Sequence, residues 1–119
     1  MKAPNRFALL FLMLIELIGL VAAGRSASAQ GKRSGCEVIV YWDNGYGGEQ
    51  WRTTDDQQTT GPHWAKQISS IIIISGIWDF YWDANYHGEV LTLPPGTYSY
   101  VGDHWNDKIN SFRCVRPTG

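Results

Sequence analysis

The side chains of this chain that could do chemistry are few, and their spacing limits what chemistry is open to them. Three histidines, His63, His87 and His104, are the only imidazoles. None belongs to an H-E-x-x-H or comparable zinc-ligand spacing, so a metal-hydrolase centre is not expected. Serines and aspartates are present, but no nucleophile elbow accompanies them and nothing marks a triad. Asp55 and Asp56 form a carboxylate pair of the kind acid–base catalysis uses. They lie in a polar run over residues 54–62 (TDDQQTTGP), which reads as a solvated loop. Catalysis is therefore not expected. The two cysteines, Cys36 and Cys114, stand near the two ends of the chain that remains after its apolar start. In an oxidising compartment such a pair is expected to form a disulfide, worth up to about 4.5 kcal/mol for so long a loop. Metal ligation by two isolated cysteines is the weaker alternative.

The N-terminal residues point to that compartment. Lys2 and Arg6 give a basic start, residues 7–23 are largely apolar, and Ala27-Ser28-Ala29 supplies small residues for cleavage. Residues 1–29 are read as a signal peptide, with 30–36 as a polar leader and the domain over 37–116. An uncleaved anchor competes with this reading, but the apolar run is short of the ~20 residues a spanning helix needs and contains Glu16. A lipoprotein signal at Cys36 is disfavoured by Lys32 and Arg33. The expected location is secreted or periplasmic, with no membrane attachment after cleavage. Removing Lys2, Arg6, Arg25 and Glu16 takes the formal net charge from −1 to about −3. With no basic stripe, nucleic acid is not an expected partner. About ninety residues remain, enough for one small domain, expected to be a monomer.

The elements that must position these side chains are organised by a repeat. Residues 41–49 and 81–89 both read Y-W-D-x-x-Y-x-G-E. Downstream of each copy, His63-Trp64-…-Ile68-Ser69-Ser70 is echoed by His104-Trp105-…-Ile109-Asn110-Ser111. A doubled unit of about forty residues is too few repeats for a solenoid, so the two copies are expected to fold onto each other. β-branched and aromatic runs over 37–43, 71–74, 77–83 and 110–115 read as strands, with shorter ones over 49–53, 89–93 and 97–101. The run Ile71–Ile74 is expected to be a buried strand, and 54–62 to hold a short strand inside a solvent-facing loop. No segment of the mature chain shows a capped helical stripe. The fold class is all-β, with about eight short strands.

With its spacing of aromatic, four residues, aromatic, one residue and glycine, the repeat resembles the βγ-crystallin family. Tyr41…Tyr46-x-Gly48 and Tyr81…Tyr86-x-Gly88 both match. The resemblance implies a β-sandwich of two four-stranded Greek keys, about 37–75 and about 76–116. It gives these tyrosines and glycines a structural role in folded-over hairpins. Glycine suits the sharp bend because it has no Cβ to clash, and the tyrosines can then pack on each other. Trp64 and Trp105 are expected as core plugs. Trp42 and Trp82 are expected to be half-buried on the opposite face, or exposed enough to meet a sugar or a protein.

Microbial members of the family carry, after a Trp, a calcium loop of the form Asn/Asp-Asn/Asp-x-x-Ser/Thr-Ser. Asn106-Asp107-Lys108-Ile109-Asn110-Ser111 matches except at its fifth position, where Asn110 stands for Ser or Thr. Residues 65–70 (AKQISS) keep only the final serines. Calcium takes six to eight hard oxygens. By the family's sharing rule, one site combines Asn106 and Asp107 with Ser69 of the other unit and a hairpin carbonyl, with Glu89 or its neighbourhood nearby. The second site would need Ala65 and Lys66, a methyl and a cation. One calcium site is expected, with the Lys66 ammonium replacing the other ion. Some secreted bacterial proteins of this fold inhibit metalloproteinases, so a protease facing residues 53–63 is the alternative partner, and a sugar or other extracellular protein a third.

Overall fold

The computed structural model describes residues 34–119; the expected signal peptide and residues 30–33 of the leader lie outside that range. β-branched and aromatic residues, which suit a pleated and half-buried surface, dominate β1 (Glu37–Tyr41), β3 (Ser70–Ser75), β4 (Ile77–Asp83) and β7 (Ser111–Arg116). The more exposed β2 (Gln50–Thr53), β5 (His87–Leu93) and β6 (Gly96–Tyr98) flank them. Two antiparallel sheets result, ordered β2-β1-β3-β6 and β5-β4-β7. β6 comes from the second repeat yet pairs with β3 of the first, Ile72 opposite Thr97.

The first repeat returns the exchange through residues 54–62. Gln57 N–H donates to the Phe112 carbonyl at 2.8 Å, and the Gln57 carbonyl accepts from Phe112 N–H at 3.0 Å. The expected short strand is thus one bridge, and among the described residues the eight expected strands become seven plus that bridge. This polar segment has no alternating apolar face to hold a longer ladder against the sheet. Nor is it a free loop. Asp56 Oδ1 accepts from Cys114 N–H at 2.9 Å, and Thr60 N–H donates to the Asn110 carbonyl at 2.9 Å. Asp55, Gln58, Thr59 and Pro62 are its exposed residues. One turn of helix, α1 (Gly61–Trp64), follows, with Pro62 in its first turn where a missing N–H is tolerated.

Alternate residues of the central strands meet between the sheets. Val38, Val40, Ile71, Ile73, Trp78, Phe80 and Phe112 are buried there. The four-isoleucine run obeys the same period of two, so it is not wholly buried: Ile71 and Ile73 face in, while Ile74 is 43% exposed. Trp64 and Trp105 close the core, each 8% exposed. Cys36, just before β1, is bonded to Cys114 on β7, across 78 residues of chain. The expected disulfide is present, and it joins one sheet to the other. Among the described residues no helix is long and apolar enough to cross a membrane.

Candidate metal site

Each repeat builds the same folded hairpin. After β1 the chain turns through Gly45 and Tyr46 at φ 65° and 62°; after β4 it turns through Asn85 and Tyr86, both at φ 60°. Left-handed backbone brings the second tyrosine over the first, with ring centroids 5.6 Å apart for Tyr41–Tyr46 and 5.7 Å for Tyr81–Tyr86. Gly48 (φ 73°) and Gly88 (φ 86°) then pass so close to Asp43 and Asp83 that a Cβ would stand 2.7 Å from a carboxylate oxygen in each case. A buried serine locks each turn. Ser70 Oγ donates to the Asp43 carbonyl at 2.6 Å and accepts from Tyr46 N–H at 3.0 Å. Ser111 Oγ does the same with Asp83 and Tyr86, at 2.6 and 3.1 Å.

The paired Trp, His and Glu landmarks are explained by one contact repeated. His63 lies 5.2 Å from the ring of Trp42 and pairs with Glu49 at 2.7 Å. His104 lies 5.0 Å from Trp82 and pairs with Glu89 at 2.6 Å. Trp42 and Trp82 are therefore half-buried, each packed by a histidine and by the core tryptophan after it. Glu89, expected beside the metal site, spends its carboxylate on His104 instead.

The remaining expected ligands do converge. Asp107 and Lys66 hold equivalent places in the two loops, at φ 61° and 60°. Asp107 N–H donates to the Ile68 carbonyl at 3.2 Å, which brings its side chain to the other repeat's serine. Ser69 Oγ donates to Asp107 Oδ1 at 3.4 Å. Asn106 Oδ1 is buried with no hydrogen-bond partner. These three residues line a cleft of about 640 Å³ completed by the first hairpin, through Asp43, Asn44 and Gly47. The hairpin partner is thus the first one, not the neighbourhood of Glu89. Tyr100 stands in the same cleft. Its hydroxyl donates to Asp103 at 2.6 Å, and this bond first, then desolvation and the charges of Asp103 and Asp107, raise the phenol above its ordinary pKa.

This donor set suits a hard cation. It is oxygen-rich, two of its members are carboxylates, and no lysine or arginine lines it. Asp107, Asn106 and Ser69 would hold such an ion, with backbone carbonyls of the hairpin as further donors. Among the described residues no three His, Cys, Asp or Glu side chains form a metal cluster, so the side chains alone would leave most of a calcium shell to carbonyls and water. The equivalent place in the other half differs. Lys66 is exposed and forms no ion pair among the described residues, so its ammonium does not take over the vacant oxygens. Asn44, Gly47 and Tyr100 carry no motif of their own in the sequence. Only the doubling of the hairpin could have pointed to the first two.

A family model for beta/gamma crystallins matches residues 37–115. Among solved structures, a betagamma-crystallin from an archaeon is 39% identical with a TM-score of 0.65, covering 70% of this chain and 100% of that one. A betagamma-crystallin from Ciona intestinalis is 26% identical with a TM-score of 0.60, covering 66% of this chain and 98% of that one. A domain from Flavobacterium johnsoniae is 27% identical with a TM-score of 0.57, covering 66% and 93%. Among curated proteins none matches this chain. With the match running through both repeats, the chain belongs to the beta/gamma crystallin family.

Proposed function

We propose that this chain is a secreted, non-catalytic structural module that binds one calcium ion and is stabilised by it. The observation that carries this reading is the meeting of Asp107 and Ser69, 38 residues apart in sequence, beside the buried and unpartnered Asn106 Oδ1. A buried acceptor without a partner is costly, and a cation in the cleft would relieve that cost. The disulfide supports an oxidising location.

With Glu89 held by His104, Asp107 is the one carboxylate left among the expected ligands, so affinity in the ~0.1–1 mM range of extracellular modules is expected. Calcium at a hundredfold excess over the dissociation constant then stabilises the fold by about 2.7 kcal/mol. Calorimetric titration of the oxidised protein should show one event, and Asp107→Ala should remove both the heat and the rise in melting temperature. The Asp107 side chain is exposed, so the variant should melt close to wild type in chelator. An unchanged wild-type melting temperature at several millimolar calcium would refute the reading.

A further inference from the structure

The two halves match so closely that their differences can be read one residue at a time. Ser69 and Asn110 hold equivalent backbone positions: Ser69 N–H donates to the Tyr41 carbonyl and Asn110 N–H to the Tyr81 carbonyl, both at 2.9 Å. Their side chains part from there. The short hydroxyl of Ser69 reaches Asp107 Oδ1 in the cleft that Trp42, Asp43 and Asn106 also line. Asn110 is one amide longer and points its Nδ2 at the Trp82 carbonyl, donating to it at 2.7 Å. Trp82 is the counterpart of Trp42. Lys108, the counterpart of Gln67 in the first cleft, places its ammonium 5.8 Å from the centre of the Trp82 ring.

We infer that Asn110 closes the second place to a metal independently of Ala65 and Lys66, because its side-chain N–H group supplies to the second hairpin the positive charge density that an ion would supply. The inference rests on the calcium reading of the first cleft. A cation entering the second place has to break the bond to the Trp82 carbonyl and then faces an N–H dipole with its positive end toward it. Replacing Ala65 and Lys66 with oxygen donors supplies ligands but leaves that donor in place. The departure of Asn110 from the loop pattern therefore closes the second site and leaves the first intact.

Calcium calorimetry on wild type, Ala65→Asn/Lys66→Asp, and the same pair with Asn110→Ser separates the two ideas. The wild-type event tests the calcium reading. The inference is tested by the number of events gained over wild type, whatever that number is: none for the double variant, one for the triple. A second event in the double variant, or no gain in the triple, overturns it. Asn110→Ser alone should lower the melting temperature in chelator by several degrees, since the Trp82 carbonyl loses its donor; an unchanged melting temperature also counts against the inference. If the serine variants fail to fold, Asn110→Asp keeps the shape, removes the N–H donor and is used in the same comparison with the same expected counts.

Discussion

At the residue scale the two serines, Ser70 and Ser111, do more for the hairpins than the tyrosines that mark them. Each is fully buried and makes two hydrogen bonds to main-chain groups of the turn. Substituting Ser111→Ala removes the bonds to the Tyr86 N–H and the Asp83 carbonyl, at a cost of about 1 kcal/mol for each part-buried hydrogen bond lost. The aromatic pair beside them is worth about 0.5–1.5 kcal/mol beyond its burial. Denaturant unfolding should therefore rank Ser111→Ala below Tyr86→Leu in stability, and Ser70→Ala should repeat the loss in the first hairpin. A Ser111→Ala midpoint equal to wild type would show that water replaces the hydroxyl. The exposed His63–Glu49 and His104–Glu89 pairs recur just as faithfully, yet pairs of this kind contribute only about 0–1 kcal/mol. Repetition in sequence thus does not rank residues by energy.

At the element scale the folded hairpin is the unit that the sequence made legible. Its tyrosine and glycine spacing encodes a backbone requirement, and the left-handed angles at Gly48 and Gly88 meet it. Gly88→Val should cost about 1–3 kcal/mol from backbone strain alone. The added side chain would also meet Asp83 and the Trp82 Cβ at 2.7 and 3.2 Å. Chemical denaturation measures this, and a loss below half a kcal/mol would mean the hairpin can relax. Strand identity was legible for the same local reason, since alternation of Ile and Val is a property of neighbouring residues. The pairing of β6 with β3 was not, because nothing within residues 96–98 says which repeat's sheet receives them. The candidate site divides along the same line. Asp107 and Ser69 could be named from the loop pattern, whereas the hairpin facing them depends on how the repeats cross. Glu89 was misplaced for that reason: its recurrence reflects the histidine contact.

At the scale of the whole molecule, strand exchange makes each sheet depend on both repeats, so neither repeat can complete its sheet alone. One covalent bond then ties sheet to sheet. Cys36 is 1% and Cys114 8% exposed, so a reductant reaches the sulfurs mainly when the domain opens. Native protein should therefore resist mild reductant, and the loss of the bond is best read after unfolding and refolding under reducing conditions. Opening a loop of 78 residues returns entropy to the unfolded chain. A realistic loss is about 2–4 kcal/mol, from a total of about 5–15 kcal/mol for a domain of this kind. For so small a domain that corresponds to a fall in melting temperature on the order of 10–20 °C. A Cys36→Ser/Cys114→Ser variant should show the same fall without reductant, which separates the bond from side effects of the reagent. Calcium acts on the native state while the disulfide acts mainly on the unfolded one, so the two effects should add: saturating calcium should raise the variant by as much free energy as it raises wild type. A variant that melts with wild type would mean that the exchanged strands alone hold the sheets together.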